Sequence, residues 1–335
     1  MGPFVDSTPL VDDGPALAAR MRHDGYLLIR GLVPKPAIAN VQCQIAAIAA
    51  EAGWLRTGSP IEDAVADLAG FCVDPDPVYL RTLRQINRLE DYHALKHHPA
   101  LIGFLERLLG GPILAHPRVL MRNIFPGRAE FTTKSHQDFP NVQGTTEVYT
   151  AWMPLIDCPM EVGPLQIATG THRGGVYDFH IGVGAGGIEI KEEFDGRWVS
   201  GPFAQGDVLF FHSLAVHKGV PNTSHHLRMS MDVRYQLASE PFNIDNANAD
   251  GQPLAWDDIY AGWKSGEFKY YWKHLPLKLK EFDRIWFDKR DELGFALGEA
   301  HDPRARSVLQ RIAARDPNQA KRTRAQALLD RIVDG

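Results

Sequence analysis

SHQDF, residues 135–139, places an imidazole and a carboxylate two positions apart, at His136 and Asp138. On a strand or strand end successive side chains point to opposite faces, so this pair projects the same way. A third ligand has to come from further along the chain. FFHSLAVHKGVPN offers His217, directly after an apolar, strand-like run opened by Gly206 and Asp207. Two histidines and one carboxylate on one face, with the remaining coordination positions open, suit a non-heme Fe(II) centre that activates oxygen.

The spacing alone is a weak signal in a chain with 14 histidines, where a surface histidine beside a turn-capping aspartate is the readier reading. The residues beyond His217 add weight to the metal reading. Arg228 lies eleven residues on, with Ser230 beside it in the alternating run Leu227 to Tyr235. On a strand these two share a face, and a guanidinium fork with a neighbouring hydroxyl suits a bidentate grip on a carboxylate. A dicarboxylate co-substrate is the ligand this suggests.

HQD at 136–138, VGPLQIATGTHR at 162–173, GDVLFFHSLAVHKGVPN at 206–222 and the arginine after it together resemble the phytanoyl-CoA dioxygenase family of Fe(II)/2-oxoglutarate oxygenases. The resemblance runs from about Gly25 to Tyr235 and rests on the order and spacing of the four motifs. It implies a mainly β core with flanking helices, folded as a double-stranded β-helix (jelly roll, cupin-like). It also implies that His136, Asp138 and His217 hold iron and that Arg228 binds the distal carboxylate of 2-oxoglutarate. Asn123, in RNIFPG, matches an asparagine that contacts the same co-substrate in the ectoine hydroxylase branch.

At 335 residues the chain is expected to form one large domain, residues 1–300, with a jelly-roll core at about 112–239, a helical N-terminal flank, and a helical tail at 301–335. The net charge of −5 argues against nucleic acid or an anionic membrane as a partner. Cys43, Cys72 and Cys158 are too few and too scattered for a disulfide framework, which points to a reducing cytoplasm. Met1 to Asp13 has the acids Asp6, Asp12 and Asp13 and no export signal. Ala100 to Leu120 is apolar but carries Glu106, Arg107, His116 and Arg118, which excludes a membrane span.

Along the chain, Pro15 to His23 reads as a short amphipathic helix, and GYLLIRG at 25–31 as a buried strand between glycines. Pro34 and Pro36 open a helix that runs through Ile48 to Gly53, residues 56–77 read as a loop near the site, and Leu89 to Leu109 as two helices broken at His98 and Pro99. Gly174 to Ala204 reads as a glycine-rich insertion between strands, either a plain excursion or a substrate-covering lid. The aromatic run from Trp256 to Trp272 reads as packing or a homo-oligomer contact. In the tail, Asp302-Pro303 and Asp316-Pro317 each read as an N-cap followed by a first-turn proline. His212 is expected to be packed or hydrogen-bonded, while His116 and His180 are candidate substrate contacts.

The resemblance implies oxidative decarboxylation of 2-oxoglutarate to succinate and CO2, with O2 as oxidant, and hydroxylation of an unactivated C–H bond in a small metabolite. Asp138 favours oxygenation, since related halogenases replace the carboxylate. The acidic balance of the 174–204 insertion suggests a neutral or cationic substrate, such as an amine-bearing or glycosylated natural product. Three alternatives stay open. The chain could be a catalytically silent metal-binding jelly roll, a metal enzyme of this architecture that needs no 2-oxoglutarate, or an acyl-CoA hydroxylase of the same family.

Overall fold

In the computed structural model residues 1–182, 185–249 and 254–332 are described. Two sheets form the centre. The larger contains strands β2 (Tyr26–Ile29), β3 (Ile113–Ile124), β4 (Tyr149–Pro154), β9 (Val208–His212) and β11 (Arg228–Leu237), in the order β2-β9-β4-β11-β3 and antiparallel throughout. The smaller contains β1 (Gly2–Pro3), β5 (Leu165–Ala168), β8 (Trp198–Ser200) and β10 (His217–Gly219), in the order β1-β8-β5-β10. Strands β6 (Phe179–Ile181) and β7 (Ile188–Ile190) form a separate hairpin, and β12 (Phe242–Asn243) pairs with β13 (Leu279–Lys280).

Alternation along the larger sheet decides which side faces what. Leu27, Ile29, Ala151, Met153, Val208, Phe210, Met229, Met231 and Val233 share one core with helices α1 (Gly14–Asp24), α2 (Lys35–Glu51), α3 (Pro77–Ile86), α4 (Glu90–Leu95) and α5 (Pro99–Leu109). Tyr26, Leu28, Trp152, Leu209 and Phe211, the intervening residues, pack against Leu165 and Ile167 of the smaller sheet. A one-residue slip would exchange the two faces, so the pattern pins the register. Both faces of the larger sheet are covered, one by helices and one by the second sheet, which is the expected mainly β core with flanking helices.

The N-terminal elements follow the sequence reading closely. Asp13 caps α1 by accepting from the Ala16 N–H at 2.9 Å, Pro15 sits in its first turn, and Gly25 ends it at φ 81°. Helix α3 went unread, and it begins where the expected 56–77 loop stops. Apart from β1 and β2, the strands of the two sheets lie between Ile113 and Leu237, so the N-terminal flank is not purely helical: it supplies one strand to each sheet.

Two expectations need correction, and a third finds its place. The stretch 174–204 is not one excursion: it holds the β6–β7 hairpin and then β8, which belongs to the smaller sheet. Val183 and Gly184 of its glycine-rich centre lie outside the described residues. The aromatic run packs within the chain, as one of its two readings expects: Trp256, Tyr260, Trp263 and Trp272 surround Leu114 and Phe242. The tail does not part from the rest at 300/301, because Phe295 of α8 (Ile285–Glu299) shares a core with Val308 and Ile312 of α9 (Arg306–Arg315) and Leu328 of α10 (Gln319–Leu329).

Helix α10 also starts later than expected. Asn318, not Asp316, caps it by accepting from the Ala320 N–H at 2.9 Å. Asp316 instead accepts from the Asn318 N–H and from Arg284. Two short helices remain, α6 (Phe139–Val142) and α7 (Trp256–Tyr260). Among the described residues no helix is long and apolar enough to cross a membrane.

Candidate metal and dicarboxylate site

His136, Asp138 and His217 converge between the two sheets, all three buried, with one ligand atom from each within 4.8 Å of the others. The main chain brings the histidines together. The His136 N–H donates to the His217 carbonyl at 2.9 Å and the His217 N–H returns the bond at 3.0 Å, an isolated bridge that seats the SHQDF segment beside β10. The pleated-strand premise holds only for His136, since Asp138 already has helical backbone angles at the start of α6. Bridge and helix start together still turn both side chains inward.

Each imidazole is oriented by its far nitrogen. His136 Nδ1 lies 2.8 Å from the Lys134 carbonyl, and His217 Nδ1 lies 3.0 Å from that of Ala215. A carbonyl can only accept, so Nδ1 carries the proton and Nε2 presents a lone pair, the tautomer a metal needs. The two Nε2 atoms stand 4.0 and 3.9 Å from Asp138 Oδ1, a separation one ion can bridge. Burial pushes His136 down to about 3 and also lowers His217, so both rings are neutral.

Burial would raise the Asp138 carboxyl. Burial is the largest single influence, but Arg234, the two imidazoles and the Thr150 hydroxyl together outweigh it, and the group stays far below the usual carboxylate range. Arg234 donates to Oδ1 at 2.9 Å and the Thr150 hydroxyl donates to Oδ2 at 2.6 Å. The sequence reading missed both residues. The β11 alternation that picked out Arg228 and Ser230 extends to Arg234, whereas nothing in the sequence marks Thr150.

Arg228 and Ser230 lie on the inward face of β11, as expected, with Asp232 and Arg234. The Arg228 guanidinium is buried and donates to the Gly163 carbonyl at 2.5 Å, but its Nε and the Ser230 hydroxyl find no hydrogen-bond partner among the described residues. The Asp232 charge reaches Arg228 but is not bonded to it; a buried cation with no bonded carboxylate is costly, and a carboxylate in this place would relieve it. The donor set therefore fits one end of a dicarboxylate.

Asn123 does not join them. The register sets it opposite Met229, on the face that carries Met121 and Met231 in the helix-side core, while Arg228 and Ser230 face the other way. Its amide is buried without a hydrogen-bond partner, so what the structure opposes is its grouping with Arg228.

The remaining candidates have partners of their own. His212 packs on Tyr149 and lies 3.5 Å from Glu147, as a packed, hydrogen-bonded residue should. His116 is buried against Gln236 at 2.9 Å, and His180 pairs with Glu189 on the hairpin. Asp178 is engaged by Lys191 and Lys289.

A jelly-roll core with two neutral imidazoles and one ionised carboxylate facing a common point, and a buried guanidinium awaiting an acid on the same sheet face, defines a non-heme iron oxygenase that uses 2-oxoglutarate. The chain belongs to the phytanoyl-CoA dioxygenase family, whose profile matches residues 21–230. It is an iron- and 2-oxoglutarate-dependent oxygenase with O2 as oxidant.

Two relatives are hydroxylases. The 1-deoxypentalenic acid 11-beta-hydroxylase of Streptomyces exfoliatus is 30% identical over 254 residues, covering 70% of this chain and 86% of its own. The L-proline trans-4-hydroxylase of Streptomyces griseoviridis is 27% identical over 253 residues, covering 66% and 86%. Among solved structures, the apo form of the non-heme monooxygenase ThoJ shares the fold, with a TM-score of 0.50 and 18% identity over 89% of this chain and all of that one.

Proposed function

We propose that this oxygenase hydroxylates an unactivated C–H bond of a small metabolite and releases succinate and CO2. In this reading His136, Asp138 and His217 hold the iron, and Arg228 with Ser230 grips the distal carboxylate of 2-oxoglutarate. The single observation that carries it is the buried Arg228 guanidinium, on the same strand face as the arginine that holds Asp138. Neither a silent metal-binding module nor a metal enzyme without a dicarboxylate co-substrate gives that cation a reason to be buried.

Bound iron with 2-oxoglutarate supplies the oxidant. The chain's own share is orientation and exclusion of water. Lys134 and Ala215 carbonyls fix the imidazole tautomers, Arg234 and Thr150 keep Asp138 ionised and in place, and the two sheets with their helices bury the centre.

For the substrate we propose a small natural product. An amine-bearing or glycosylated one was suggested by acids in 174–204, but Asp178 and Glu189 are engaged by Lys191, Lys289 and His180. The two relatives act, by name, on a carboxylic acid and an amino acid. The test is succinate release from 2-oxoglutarate with Fe(II) and ascorbate, screened with terpenoid acids, amino acids, amine-bearing and glycosylated products, and acyl-CoA thioesters. Stimulation by one of the small metabolites supports the reading. No succinate under any condition would return the protein to a silent module, and stimulation by acyl-CoA alone would make it an acyl-CoA hydroxylase.

A further inference from the structure

Helices α8–α10 lie beyond the segment 21–230 that carries the family likeness, yet they hold the loop bearing His136 and Asp138 from both ends. At its C-terminal end, the Gln143 side-chain amide donates to the Asp283 carbonyl at 2.6 Å and accepts from the Asp283 N–H at 2.8 Å. This is a two-way clasp on the main chain just before α8. At the N-terminal end, the Ile190 N–H donates to the Ser135 carbonyl at 2.9 Å, so β7 is bonded to the residue before His136. The β6–β7 hairpin in turn rests on the helices. Ile181 shares their core, Arg290 donates to the Gly186 carbonyl at 3.2 Å, and a Cβ on Gly187 would come within 2.9 Å of Val308.

The backbone at Gln143 adds a second, independent observation. It stands at φ 53°, ψ −154°, a conformation that suits glycine and that L residues rarely take. Such strain persists only where the surroundings over-determine it. A glycine here would be relaxed but would have no amide to offer Asp283. The glutamine is thus placed where its side chain is worth more than a comfortable backbone.

We propose that Gln143 is a positioning residue, and that α8–α10 act through it and through the β6–β7 hairpin as a clamp that holds loop 135–143 in ligand-presenting form before any metal arrives. The inference rests on the reading of His136 and Asp138 as iron ligands. Its chemistry is outer-shell support: the clamp touches neither metal nor substrate and fixes the segment that does.

The experiment uses the full chain with Gln143→Gly, which removes the clasp and the strain together. Its readouts are hydrogen exchange across 135–143 and binding of Co(II) alone, without 2-oxoglutarate or substrate. The melting temperature should stay within a few degrees of the wild type. Exchange in 135–143 should quicken about tenfold or more, and Co(II) affinity should fall about tenfold, the lower end of what outer-shell substitutions cost.

Gln143→Glu, which keeps the acceptor for the Asp283 N–H and loses the donor, should fall between the two. It also decides the matter if the glycine variant does not fold. Unchanged exchange and Co(II) affinity would overturn the proposal, as would exchange that quickens uniformly through the whole chain. If the wild type bound no Co(II), the ligand reading would fail by itself, while exchange at 135–143 would still report whether the clasp holds the loop.

Discussion

Arg228 sets the sharpest condition at the level of single residues, because burial lowers its pKa and no carboxylate among the described residues is bonded to it. Arg228→Ala should raise the Michaelis constant for 2-oxoglutarate at least a hundredfold, since removing one partner of a buried pair costs roughly 3–5 kcal/mol. Co(II) binding should be unchanged, and a parallel loss of metal would show that Arg228 supports the ligands instead. Arg234 should behave in the opposite way. Arg234→Leu strips Asp138 of its main charge partner, so metal affinity should drop about 10- to 100-fold in a Co(II) titration. At this scale the sequence was legible where alternation or motif spacing applied, as at His136, His217 and Arg228. It was silent on Thr150, whose role depends on β4 lying beside β11, and misleading on Asn123, because a short local match says nothing about which way a residue faces.

Among the elements, β11 was the most readable, since small and polar residues alternate with Met229, Met231 and Val233 and both faces are buried. The 174–204 stretch was hard to read because β6, β7 and β8 are each three residues long, too short for periodicity to register. The second tail helix was misplaced by two residues because Asp316-Pro317 has the right chemistry for a start, but Asn318 wins the free N–H groups of the first turn. Asn318→Ala should therefore destabilise the chain by about 1 kcal/mol, visible as a melting shift of a few degrees. It should leave Co(II) affinity alone, because the cap lies at the far end of the clamp; a loss of metal would tie α10 to the centre more directly than its packing suggests.

For the whole molecule, buried histidines outside the central triad add to the acid sensitivity that His136 and His217 bring. Burial pushes His97 and His116 down to about 3. Below the ordinary value of about 6.5 the unfolded chain takes up these protons while the folded chain refuses them until near pH 3. Each group then removes up to about 1.4 kcal/mol of stability per pH unit through that window. The melting temperature of the metal-free chain should fall as pH drops from 6.5, and His97→Phe, which keeps a ring on Phe268, should flatten the slope. A slope unchanged by that variant would assign the acid response to other groups. The division of the chain was the least legible property at this scale, because a tail that packs through Ile181 and pairs Arg311 and Arg315 with Asp74 looks in sequence like any basic helical end.

The reciprocal hydrogen bonds between His136 and His217 mean that the gap between the two imidazoles is measured by peptide groups and not by side chains. Whatever stands at 136 or 217 starts from the same two points of main chain. A thiolate or an aspartate substituted there would end short of the place the two Nε2 atoms reach beside Asp138. The frame is thus cut to the length of an imidazole, and a shorter side chain would leave a gap that only a shift of the bridge could close.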